Sequence, residues 1–211
     1  MTRSSRPIRP GSIVDNHHLT TVTGAEVAVP DAERLIHLQF RRFAGCPVCN
    51  LHLRSIVQRH AEIEAAGVRE VVLFHSPADE LREHTEDLPF AVVADPDKRL
   101  YRQFGVEAAP RSMLSPRAWL PILRAVARSS WAILRGRERP PAAVPHGGRF
   151  GLPADFLIAP DGRVLAAKYG DHVYDQWSVD ELLPLVAEAA AAAAPQDRRA
   201  PAQPGSVPDA V

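Results

Sequence analysis

The chain has 211 residues, 45% of them hydrophobic, with 25 basic and 25 acidic side chains and a formal net charge of +0. That is enough for one domain with extensions and a sizeable core, and too apolar for a disordered chain. The balanced charge excludes a global pull toward nucleic acid or anionic membrane, and no apolar stretch is long enough to span a bilayer.

Residues 1–19 carry Arg3, Arg6 and Arg9 without an apolar stretch of signal-peptide length behind them, so no secretion signal and a cytoplasmic protein are expected. Residues 1–16 read as a loose polar arm. Residues 18–30 hold β-rich stretches on either side of Thr23-Gly24, which predicts a hairpin. Residues 34–40 are mostly apolar and suit a buried central strand. A short turn leads to Cys46-Pro47-Val48-Cys49. From 48 to 66 the pattern becomes helical, with Gly67 as the expected C-terminal cap. Residues 68–74 form a β-branched strand, so strand, helix and strand make a right-handed βαβ unit.

Residues 77–86 predict a short helix, 90–94 a third strand, and 98–104 a helical turn closed by Gly105. Residues 107–150 break this rhythm as an insertion. Within it 119–134 looks helical, and residues 117–139 hold six Arg and one Glu. Such a segment caps the core, makes a dimer contact or touches a membrane surface. Residues 154–159 and 163–169, joined by Pro160-Asp161-Gly162, predict a hairpin. Ser178 with Glu181 forms a capping box for the last helix, which Pro184 is expected to kink or restart. An Ala-rich helix end and a Pro-rich disordered tail are expected over 187–211.

The chain has two cysteines, too few and too close for a structural disulfide framework. A helix N-terminus stabilises a thiolate through its free N–H groups and dipole. Cys46 at the helix tip is therefore the expected nucleophile and the more exposed sulfur, with Arg41 and Arg42 as nearby positive charges. Cys49, one turn on, can resolve whatever Cys46 binds. Inert core cysteines, or half of a zinc site with His52 and His60, are the alternatives, although zinc usually takes two such pairs. Asp95-Pro96-Asp97 reads as a turn and cap, and Asp171, His172 and Asp175 as a polar surface loop. No metal or cofactor is expected.

The blocks 40–49, 90–97, Leu100-Tyr101, Phe104-Gly105-Val106 and 151–162 resemble the thioredoxin superfamily. More narrowly, the chain resembles peroxiredoxin-like proteins of the AhpC/TSA type that carry a CxxC motif. The resemblance covers residues 17–186. It implies a thioredoxin-like α/β fold, a central mixed sheet flanked by helices, with an N-terminal β-hairpin and a helical insertion. It implies a thiol–disulfide oxidoreductase, with a hydroperoxide reductase or a non-catalytic redox sensor as alternatives. A thiol or disulfide protein, a small thiol reductant or a hydroperoxide would be the partner, and a homodimer the assembly. Typical peroxiredoxins place Pro, Thr and Arg where this sequence has Gln39, Phe43 and Pro153. Pro153 falls instead where thioredoxins carry a cis-proline, which would let the Leu152 backbone position a substrate. Phe40 stands where many thioredoxins bury an acid, leaving proton handling to water or to another group such as Asp155 or Lys168.

Overall fold

The computed structural model describes residues 7–106, 116–136, 139–140, 144–149 and 151–193, apart from the side chains of 116–118 and 121. A hairpin comes first, β1 (His17–Thr20) and β2 (Glu26–Val29), turning at Gly24 with φ 88°. The sheet follows as β3 (Leu35–Phe40), β4 (Val68–Phe74), β5 (Ala91–Ala94), β6 (Ala154–Ile158) and β7 (Val164–Tyr169), in the order β5-β4-β3-β6-β7. Strands β3, β4 and β5 are parallel, and β6 and β7 are antiparallel to their neighbours. The helices are α1 (Pro47–Gln58), α2 (His60–Ala65), α3 (Ala78–Thr85), α4 (Arg99–Gln103), α5 (Pro116–Leu134) and α6 (Val179–Ala193). This is the mixed sheet flanked by helices that the spacing predicts.

Four local expectations change. Residues 8–14 are not loose: Gly11 and Val14 donate to the carbonyls of Val164 and Gly162, and Ile8 donates to the Tyr169 hydroxyl. The helix expected over 48–66 breaks at Arg59, whose φ is −117° and whose guanidinium clasps Glu62 and Asp180. Of the kink or restart expected at Pro184, the restart does not occur, since α6 runs through it as one helix. The missing N–H there frees only the carbonyl of exposed Asp180, which water can satisfy. The cis X-Pro bond among the described residues is Val29–Pro30, so Leu152–Pro153 is trans. Pro153 is instead an ordinary strand-start proline: its carbonyl accepts from Gly170 N–H at 2.9 Å, and β6 begins at the next residue. The expected insertion and tail fall partly outside the described residues, over 107–115, 137–138, 141–143, 150 and 194–211.

Alternation along β3 explains the interior. Ile36, Leu38 and Phe40 point one way, into an aromatic core with Tyr101, Phe104 and Phe156. His37 and Gln39, followed by Arg41, point the other way, toward α1 and α6. Glu70 lies opposite His37 on β4, and Asp155 opposite Gln39 on β6. These five side chains close a ring in which every member is buried. His37 Nδ1 lies 2.9 Å from Glu70, and His37 Nε2 lies 3.3 Å from Asp155. Arg41 reaches Asp155 at 2.8 Å and donates to Gln39, which donates to Glu70.

Burial opposes charge on His37, but the carboxylates of Glu70 and Asp155 outweigh it and raise its pKa to about 9. Burial likewise opposes the Asp155 carboxylate, yet Arg41 and His37 hold its pKa below the ordinary carboxylate range. The His37 contribution is fully present below its unfolded pKa of about 6.5 and is lost as pH rises through about 9. The Asp155 contribution is lost as pH falls below the ordinary carboxylate range.

We therefore expect the wild type to lose stability relative to a His37→Leu chain as pH rises from about 6.5 through about 9, a comparison in which the contributions of the other titrating groups cancel. The shift in His37 corresponds to about 3 kcal/mol. In His37→Leu the ring keeps two carboxylates and one arginine, which should cost about 3–5 kcal/mol near pH 6 and less near pH 10. The same difference in urea midpoint between the two chains at pH 6 and at pH 10 would contradict a protonated His37.

Candidate active site

Strand β3 ends one residue before Arg41, and the alternation that sends Arg41 into the ring turns Arg42 the other way, onto the cysteines. Arg42 Nη2 donates to Cys46 Sγ at 2.9 Å, and Nη1 donates to the Arg149 carbonyl at 3.2 Å. Residues 43–45 then make a tight turn. Phe43 is buried against Ala44 and both cysteines, and Gly45 has φ 70° with the His84 ring against it. A Cβ at Gly45 would sit 2.8 Å from that ring, so the turn requires glycine on two counts.

Cys46 is the N-cap of α1, and its sulfur accepts from the Cys49 N–H at 3.4 Å. Pro47 opens the helix, where its lack of an N–H costs nothing. Contrary to expectation, Cys46 is no more exposed than its partner: Cys46 is 0% exposed and Cys49 2%. The N-cap position does not open it to solvent, because Phe43, Ala44 and Val48 pack around the pair.

The thiols behave as one unit. Burial raises the pKa of both. For Cys49 the hydrogen bond from the Cys46 thiol and the charges of Arg42 and Arg41 outweigh burial, and the pKa falls to about 5. For Cys46, burial together with the bond to Cys49 and its negative charge pushes the pKa well above the ordinary thiol value. The first proton therefore leaves easily and the second is held back. The sequence places this thiolate on Cys46; the structure puts the lowered value on Cys49. One shared S–H···S proton separates the two descriptions. When it moves to Cys49, the charge on Cys46 meets the N–H donors of Arg42 and of Cys49 itself.

The other expected site residues sort differently. Leu152 is buried, and neighbouring Gly151 lies beside the aliphatic part of the Arg42 side chain. Gln39 is taken up by the ring. Asp155 cannot accept a proton at neutral pH while Arg41 and His37 hold it ionised. Lys168 pairs with Asp175 at 3.1 Å and Glu181 at 3.2 Å, in the β7–α6 region. Asp95 caps α4, accepting from the N–H groups of Arg99 and Leu100 at 2.8 Å.

Sequence reasoning missed His75 and Lys98. Together with Arg42 they hold the backbone carbonyls of residues 146, 147 and 149. His75 Nδ1 donates to the His146 carbonyl at 3.0 Å, and Lys98 to the Gly147 carbonyl at 2.8 Å. Burial and Lys98 lower the His75 pKa to about 4, so it stays neutral and this donor persists. A histidine just after the last residue of a buried strand was the only available signal.

The sequence pattern described as AhpC/TSA antioxidant enzyme matches residues 55–172, a stretch that begins after Cys49. No curated protein matches the chain. Among solved structures, the peroxidoxin BcpB from Mycobacterium tuberculosis is 15% identical, with a TM-score of 0.61 over 86% of this chain and 97% of that one. Peroxiredoxin 6 of Arenicola marina is 16% identical, with a TM-score of 0.64 over 89% and 76%. A putative thiol:disulfide interchange protein DsbE from Chlorobium tepidum is 19% identical, with a TM-score of 0.53 over 86% and 96%. At these identities the likeness establishes the shared thioredoxin-like fold.

Replacing Arg42 with Met removes the guanidinium while keeping an apolar side chain. We expect the first thiol pKa to rise from about 5 part of the way toward the ordinary value near 8.5, since the hydrogen bond from the Cys46 thiol and the Arg41 charge remain. The pH profile of alkylation by iodoacetamide reads this directly. An unshifted profile would show that Arg42 does not hold the thiolate.

Proposed function

The chain belongs to the AhpC/TSA antioxidant enzyme family, and from that premise we propose that Cys46 and Cys49 are its redox-active dithiol and exchange electrons with disulfides. The observation that carries this is the Arg42 guanidinium on Cys46 Sγ beside a second thiol one helical turn away. An arginine bound to a buried sulfur has little structural purpose, because desolvating it is costly unless an anion shares the site.

The reaction runs in two steps. The Cys46 thiolate attacks one sulfur of a substrate disulfide. A mixed disulfide forms, the substrate S–S bond breaks, and the other substrate sulfur leaves as a thiolate that takes up a proton. Cys49, as thiolate, then attacks Cys46, releasing the second substrate thiol and leaving a Cys46–Cys49 disulfide. Two electrons pass to the substrate, and a thiol protein or small thiol restores the dithiol by the reverse exchange. Both sulfurs are buried, so attack requires the residues packed around them, Phe43, Ala44 and Val48 among them, to move aside. Leu152 and Pro153, which follow directly on Gly151 beside Arg42, would position the substrate. This reading places the protein in the cytoplasm, where thiol reductants are abundant.

Peroxide reduction is the second reading, favoured by Arg42. Its guanidinium could bind a peroxide oxygen as the thiolate attacks, in the absence of the Thr that peroxiredoxins use. The O–O bond would break to give an alcohol and a Cys46 sulfenic acid. Cys49 would then condense with the sulfenic acid, losing water.

The reduced protein should reduce a protein disulfide catalytically when a thiol regenerant is present. Cys46→Ser should lose at least a hundredfold in rate, and Cys49→Ser should accumulate the mixed disulfide, seen by mass. A Cys46→Ser chain as fast as wild type would contradict the proposal. Faster turnover with hydroperoxide than with disulfide would favour the second reading.

A further inference from the structure

Helix α5 is divided lengthwise into three strips. Ile122, Ala125 and Ser129, spaced three or four apart, face the body of the protein, and α5 packs on α1. A second strip carries Trp119, Leu120, Leu123, Val126, Trp131 and Leu134, which are 47–83% exposed. Scattered exposed apolar residues are ordinary; six on one helical face are not. The third strip holds Arg124, Arg128 and Arg135, spaced four and seven apart and all exposed. Arg135 lies over the Trp131 ring at 4.1 Å. The sequence of α5 contains no Asp or Glu. Among the described residues, Arg124 and Arg128 have no carboxylate partner, whereas Arg139 beyond the helix pairs with Glu83.

We propose that α5 docks the protein on an anionic lipid surface, lying in the plane of the membrane. No described helix is long and apolar enough to cross a bilayer, so the helix would rest on the surface. Its apolar strip would enter the boundary between headgroups and acyl chains, and its arginines would meet lipid phosphates. Charge complementarity selects this occupant. A second copy of α5 brings more arginine and no carboxylate, whereas anionic headgroups supply the missing negative charge. The overall charge of the chain is +0, so the attraction is local to this strip. Because α5 packs on α1, docking would set the helix that bears the dithiol one helix diameter, about 10 Å, from the lipid.

The test is flotation of the reduced, full-length protein with vesicles of phosphatidylcholine alone or mixed with phosphatidylglycerol. We expect the protein to float with the anionic vesicles only, with tryptophan emission shifted to the blue and with release at high salt. Arg124→Gln and Arg128→Gln should each weaken binding about fivefold. Leu123→Asp with Trp131→Asp should abolish binding while circular dichroism stays unchanged, since both side chains are exposed. Failure to float with anionic vesicles would overturn the proposal, as would binding insensitive to these substitutions. A dimer in solution that Leu123→Asp dissociates, with no vesicle binding, would assign the strip to a second copy instead.

Discussion

Arg41 is the largest fully buried side chain of the described core, and its charge has to be neutralised before β3, β4 and β6 can pack. Asp155 does this from one neighbouring strand, while Glu70 and His37 balance each other from the other side. With His37 protonated, the ring holds two positive and two negative charges, bridged by Gln39. Such a ring stabilises little compared with an apolar core of the same volume, because desolvation consumes most of the attraction. Its main consequence is register. A slip of β6 against β3 would carry Asp155 off Arg41 and leave both charges buried alone.

The site inherits its geometry from this anchoring. With Arg41 locked below, the next residue on β3's path turns to the opposite side, and that residue is Arg42. The turn through Gly45 then drops Cys46 at the tip of α1, within reach of the guanidinium. Arg41 also contributes to lowering the first thiol pKa, after the nearer charge of Arg42. The same Arg42 holds the Arg149 carbonyl. One side chain thus joins the sulfur chemistry to the backbone at 149. The groups with which peroxiredoxins bind peroxide are replaced here by a core phenylalanine at 43 and a ring glutamine at 39.

Much of this was legible in the sequence. Element order, the hairpin at Thr23-Gly24, the βαβ unit and the capping box of Ser178 and Glu181 follow from periodicity and turn chemistry, and the structure contains each of them. Arg42 was within reach too, because a cation four residues before a helix-tip cysteine has few places to go. What stayed hidden depends on contacts distant in the chain. His37 and Gln39 sit in a strand that reads as apolar, and their partners lie 33 and 31 residues away in Glu70, with Asp155 farther still. The burial of Cys46 depends on how the turn and neighbouring elements close over it, which helix-end reasoning does not include. Pro153 was misread because a strand-start proline and a substrate-facing cis-proline have the same local sequence.

The central claim is that two arginines hold a buried dithiol as one thiolate and one thiol. Its most direct measurement is the thiolate absorbance of the reduced wild-type protein as a function of pH. The account predicts one thiolate per chain appearing with a midpoint near 5 and a second only well above the ordinary thiol range. Two thiols titrating together near their ordinary value would contradict it.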